Sequence, residues 1–106
     1  MAKFMIQASY SADGTKGLLK EGGSARRAVA KKLVEDLGGK LEVFYYAFGD
    51  ADAVLICDVP DVGSALALSM AVNASGQVHI KTTPLISPEE VDAASHKAVQ
   101  YRAPGK

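Results

Sequence analysis

The sequence predicts an α+β fold: one antiparallel sheet of four strands, two long helices on one of its faces, and a further helix at the C-terminus. Three observations carry this. Four segments are rich in β-branched and aromatic residues or alternate with period two, and three others are bracketed by helix start and stop signals. The segments follow the order β-α-β-β-α-β-α. The chain is 106 residues long, the length of a single domain, taken as residues 1–106. A domain of this size buries only about two-thirds of its unfolded surface.

In "KFMIQASY", Phe4, Ile6 and Ala8 alternate with Met5, Gln7 and Ser9, which marks a strand. "SADGTKGLLKEGGS" holds Gly14, Gly17, Gly22 and Gly23. Glycine is a poor helix former, so a loop is expected, with at most one helical turn at Lys16–Lys20. Ser24 is the expected N-cap of "ARRAVAKKLVEDLGG", in which Ala25, Val29, Leu33 and Leu37 recur every four residues and Gly38–Gly39 stop the helix. "KLEVFYYAF" is a strand, "GDA" a short turn, and "DAVLICDV" the next strand, ended by Pro60. Asp61 caps "VGSALALSMAVNAS", which Gly76 ends. "QVHIKTTPLI" is the fourth strand, bent or broken near Pro84. "SPEEVDAASHKAVQYR" opens with Ser87 as N-cap, Pro88 at the first helical position and acids in the first turn, so a C-terminal helix is expected, followed by a frayed "APGK".

This order is that of a ferredoxin-like βαββαβ sandwich with an added helix. Right-handed crossovers place both long helices on one side of the sheet, and the first and third strands are expected as parallel neighbours at its centre.

Two helices cover one face only, and the other should be polar if it meets water. Here it is not. Val43 and Tyr45 oppose Phe44, Tyr46 and Phe48 on the second strand, and Ala53, Leu55 and Cys57 oppose Val54 and Ile56 on the third. Either parity leaves large apolar side chains uncovered. Such a face spans roughly 400 Å², at the upper end of what a monomer exposes. Pairing two of them is worth up to ~20 kcal/mol before association costs. A homo-oligomer is therefore expected, a face-to-face dimer forming an α+β barrel or an assembly of such dimers. A C-terminal helix folded back on the sheet is the alternative cover. "ALALSMAV" is apolar almost all round, which points to a further helix-mediated contact.

Formal net charge is zero, so no nucleic acid or anionic membrane partner is expected. Arg26, Arg27, Lys31 and Lys32 precede Glu35 and Asp36 and read as a solvated helix face. The single cysteine, Cys57, permits no intrachain disulfide and fits a reducing compartment. With no long apolar run and no leader-like N-terminus, a cytoplasmic location is expected.

If Phe4, Ile6, Val78 and Ile80 face the helices, then Gln7, Ser9, His79 and Lys81 meet on the opposite face. There they can bind an anionic or carbonyl-bearing ligand, with His79 as the titratable member. A hydrogen-bonded interface histidine beside a solvated lysine is the plainer reading. Tyr10, Tyr45 and Tyr46 are candidates to line a pocket, although packing the ring and satisfying the hydroxyl locally is the plainer role. Asp52, directly after the turn, is a further candidate, although accepting turn amides is the simpler role. His79 and His96 are the only histidines and do not make a metal site. No cofactor is called for, and Cys57 reads as an inert core thiol.

Together these landmarks resemble the GYD domain family. They are a glycine after the first strand, Arg26, Leu37-Gly38-Gly39-Lys40, aromatic residues before the hairpin turn, "VPD", and Ser75-Gly76 before the last strand. The family's turn carries glycine, a spacer, tyrosine and aspartate. Here Gly49 and Asp52 match, and Ala51 stands in the tyrosine's place. The resemblance implies the dimeric α+β barrel arrangement and no established activity. Three functions are weighed. The first is a small-molecule-binding or structural module holding a small apolar or aromatic ligand. The second is a cofactor-independent enzyme, monooxygenase- or lyase-like, and the third a metabolite-sensing regulatory domain.

Overall fold

A computed structural model describes residues 1–106. The elements are β1 (Ala2–Tyr10), α1 (Ala12–Glu21), α2 (Gly23–Asp36), β2 (Lys40–Tyr46), β3 (Ala53–Val59), α3 (Val62–Ala74), β4 (Val78–Pro84) and α4 (Pro88–Ser95). The four strands form one sheet in the order β2-β3-β1-β4. All neighbours in it are antiparallel, β1 and β3 included, so the expected parallel pair at the centre is corrected. The α1–α2 crossover returns the chain to run β2 in the direction of β1. The β2–β3 hairpin then reverses it before β3 slots between them.

The glycine-rich stretch after β1 is a helix, not the expected loop. Ser11 is extended, and its hydroxyl accepts the Gly14 amide at 3.0 Å, which caps α1. Gly14 suits close packing rather than opposing it. A methyl group there would lie 2.2 Å from the Gln77 carbonyl oxygen. Gly22, at φ 90°, ends α1 and turns the chain directly into α2.

That turn moves the N-cap of α2 from the expected Ser24 to Gly22, so the helix starts at Gly23, and α2 has no side-chain cap. It also rotates the helix. The line facing the sheet runs through Ala30, Val34 and Leu37, with Arg26 in phase, rather than through Ala25, Val29 and Leu33. Val29 and Leu33 are left 41% exposed.

Phe4, Ile6 and Ala8 of β1, Ala53, Leu55, Cys57 and Val59 of β3, and Ile80 of β4 all turn toward the helices, where Val34, Ala65 and Leu68 meet them. These eleven residues are the whole buried apolar core, and all of it lies on one side of the sheet. Asp61 caps α3 as expected, accepting the Ser64 amide at 2.7 Å, and this bond lowers its carboxyl pKa. At the other end of α3, the Asn73 side chain accepts the Ile80 amide at 2.7 Å and so binds the outer edge of β4.

The C-terminal helix is shorter than expected, ending at Ser95 instead of reaching Arg102. Ser87 and Glu90 close a reciprocal cap around its first turn. None of its residues is buried, and it covers neither sheet face. Eight residues make a marginal helix without a packing partner, which explains the early stop. The arm it forms stretches the molecule to 57 Å and its radius of gyration to 17.0 Å, against about 13 Å for a compact chain of this length.

The two glycines of α1 give a matched test. Gly14→Ala is expected to cost about 1–3 kcal/mol through overpacking. Gly17→Ala, with nothing within 4 Å of the new methyl group, is expected to gain up to about 1 kcal/mol of helix propensity. Thermal unfolding should therefore move in opposite directions for the two, and equal shifts would contradict the packing of α1 against Gln77.

Candidate functional site

The face of the sheet turned away from the helices is divided into rows that cross all four strands. One row runs Lys81, Gln7, Val54, Tyr45, and the next runs Thr83, Met5, Ile56, Val43. Beyond the first, Ser9 lies opposite His79. Met5, Val43, Tyr45, Val54 and Ile56 thus form one apolar patch over β1, β2 and β3, while Gln7, Ser9, His79, Lys81 and Thr83 form a polar strip along β1 and β4. Tyr45 is 70% exposed, so its ring stands out from the patch.

At the far end of this face Lys3 bonds Glu42 and lies 3.2 Å from Asp58. Its hydrogen bonds to Glu42 and Asp58 raise the ammonium pKa. A β-bulge between Leu41 and Val43 aims Glu42 at this lysine. Asp58 pairs with Lys3, six residues along β1 from Ser9 and His79. That is about 20 Å of strand, too far for Asp58 to orient the imidazole.

The structure therefore gathers Gln7, Ser9, His79 and Lys81 on one face, with Tyr45 at the other end of the Lys81 row. It does not bring Tyr46 or Asp52 to them. Tyr46 has the opposite strand parity. Its ring packs edge-on to Phe44 at 5.1 Å on the helix side, and its hydroxyl donates to the Gly23 carbonyl at 3.0 Å. Asp52 closes the hairpin against β1: its carboxylate accepts the Tyr10 amide at 2.8 Å, and its own amide donates to the Ala8 carbonyl at 2.8 Å. Both line a separate hollow at the end of the sheet, with Tyr10, Leu18 and the fully exposed Phe48. Cys57 is buried in the core, and burial pushes its thiol pKa up, which disfavours the reactive thiolate.

One residue was placed wrongly by charge alone. Arg26 does not belong to the solvated face of α2. It is half-buried and lines an apolar cleft between α2 and α3. Its spacing of four from Ala30 and eight from Val34 is the signal that puts it on the inward line.

Burial raises the Tyr46 pKa above its usual 10.0. A folded value above the unfolded one means that the associated stability is present below pH 10.0 and is lost as pH rises through the folded value. Phenolate absorbance should contain a component titrating above 10.0 that Tyr46→Phe removes, with a stability loss of about 1 kcal/mol for the missing hydrogen bond. An unchanged titration curve in Tyr46→Phe would refute this environment.

The family model of the GYD domain matches residues 4–95. No protein of curated function and no solved structure matches the chain. The family match runs from β1 through the last residue of α4, and it includes the hairpin where Ala51 stands beside the structural Asp52. With only the first three residues and the last eleven outside that match, the chain belongs to the GYD domain family.

Proposed function

We propose that this chain is an assembling module. It pairs with a second copy through its open sheet face in the manner of a dimeric α+β barrel, and it holds a small apolar or aromatic ligand at the seam. The observation that carries the reading is the contiguous apolar patch of Met5, Val43, Tyr45, Val54 and Ile56, which no element of the chain covers. Surface area supports it. The chain exposes 7516 Å², against about 5,700 Å² for a compact monomer of its mass. The excess, about 1,800 Å², is twice what one partner gives up in a standard interface. The protruding arm supplies part of it, and Tyr101, at 78% exposure, has no partner within the chain.

The polar strip gives the seam its chemistry. His79 and Lys81 can donate to an anionic or carbonyl-bearing group, with Ser9 and Gln7 opposite them. Binding is favoured over catalysis because no carboxylate on its face lies close enough to His79 to orient it. The lone buried Cys57 fits a reducing, cytoplasmic setting.

Sedimentation or native mass should give a dimer or a multiple of it. Ile56→Asp, which places a charge at the centre of the patch, should yield a folded monomer. A wild-type monomer at micromolar concentration would sink the pairing. Affinity for a panel of small aromatic carboxylates and ketones should fall about tenfold in His79→Ala, and an unchanged affinity would remove His79 from the site.

A further inference from the structure

On the helix side of the sheet, α2 stands over β2 and α3 over β4, and the two helices do not close on each other. Between them runs a cleft with Ile6 and Leu55 on its floor and Val29, Leu33 and Val72 on its walls. Of its fifteen lining residues, fourteen are apolar, and the fifteenth is Arg26. The cleft offers about 80 Å³ of free space, or about 580 Å³ when the solvent at its open mouth is counted.

Two features distinguish this cleft from imperfect core packing. Val29 and Leu33 form the most apolar line of α2, yet they stand at the lip, each 41% exposed. The single charge is also only loosely paired. Its ion pair with Glu21, a half-exposed carboxylate 3.7 Å away, is beyond hydrogen-bond reach and open to exchange for another carboxylate, and the first turn of α2 contains no acid. An apolar slot with one guanidinium on its wall is complementary to an amphiphile with an anionic head. Arginine's planar fork is matched to a carboxylate, and the narrow floor suits one unbranched chain better than a fused ring system.

We propose that this cleft binds a medium-chain carboxylate, its hydrocarbon chain between α2 and α3 and its head on Arg26. The site lies on the opposite side of the sheet from the pairing face and does not depend on it.

The test is a titration of the full chain with hexanoate, octanoate and decanoate, and with octanol as the uncharged control, followed by calorimetry and backbone NMR. Affinity should rise about three- to fourfold per methylene until the slot is filled. The carboxylate should bind at least tenfold more tightly than the alcohol. Arg26→Gln should abolish that preference by weakening the acid far more than the alcohol, and shifts should concentrate on residues 26–34 and 65–72. No binding, equal affinity for acid and alcohol, or an unaltered preference in Arg26→Gln overturns the proposal. So do shifts centred on Met5, Val54 and Ile56. Binding that appears only after deletion of residues 85–106 also overturns it, because the cleft is then filled by an arm of the protein itself.

Discussion

A sheet has two faces, and this chain supplies helices for one. Most of what the molecule does physically follows from that imbalance. β3 alternates fully buried and half-buried residues along its whole length, so the strand next to the centre is apolar on both sides. The helix side takes Leu55, Cys57 and Val59 into a core of eleven residues. Val54 and Ile56 are left on the other side with Met5, Val43 and Tyr45 for company. Hydrophobic burial is the main favourable term in folding, and on the open face it is only partly realised in the single chain.

The same economy shapes the helix layer. α1 and α2 divide the first crossover, and the sharp turn at Gly22 fixes where α2 can stand. It is pinned there by Tyr46, whose hydroxyl reaches the Gly23 carbonyl. A methyl group on Gly23 would meet the Tyr46 ring at 3.0 Å. Held over β2, α2 cannot also reach α3 across the sheet. The apolar cleft is thus a consequence of a backbone turn and one tyrosine, with Arg26 carried into it by the helical repeat.

The sequence made some of this legible and hid the rest for identifiable reasons. The strands, α3 and the starts of α3 and α4 were readable because Asp61, Ser87 and the alternation in β1 are local signals with local outcomes. The meeting of Gln7, Ser9, His79 and Lys81 on one face followed from period two and strand adjacency. α1 was hidden because Gly14 argues against a helix locally, while the close approach to Gln77 that requires it is a tertiary fact. The phase of α2 was misread by about one residue, since four-residue spacing through Ala25, Val29 and Leu33 carries no information about the turn at Gly22. The parity of Tyr45 and Tyr46 could not be decided from a strand apolar on both sides. The end of α4 depended on the absence of a packing partner, which no capping signal can report.

The edges of the sheet carry a different lesson. β2 contains "VFYY", a segment that would readily template further strands if its outer edge were regular. The bulge at Glu42 interrupts that edge. On the opposite side, the Asn73 side chain occupies the outward amide of Ile80, in the middle of β4, and Pro84 ends the strand. Growth by adding strands sideways, the route to fibrils, is obstructed at both margins. Open-ended growth by edge pairing is thereby hindered, and the apolar surface the sheet leaves open is a closed patch of fixed size.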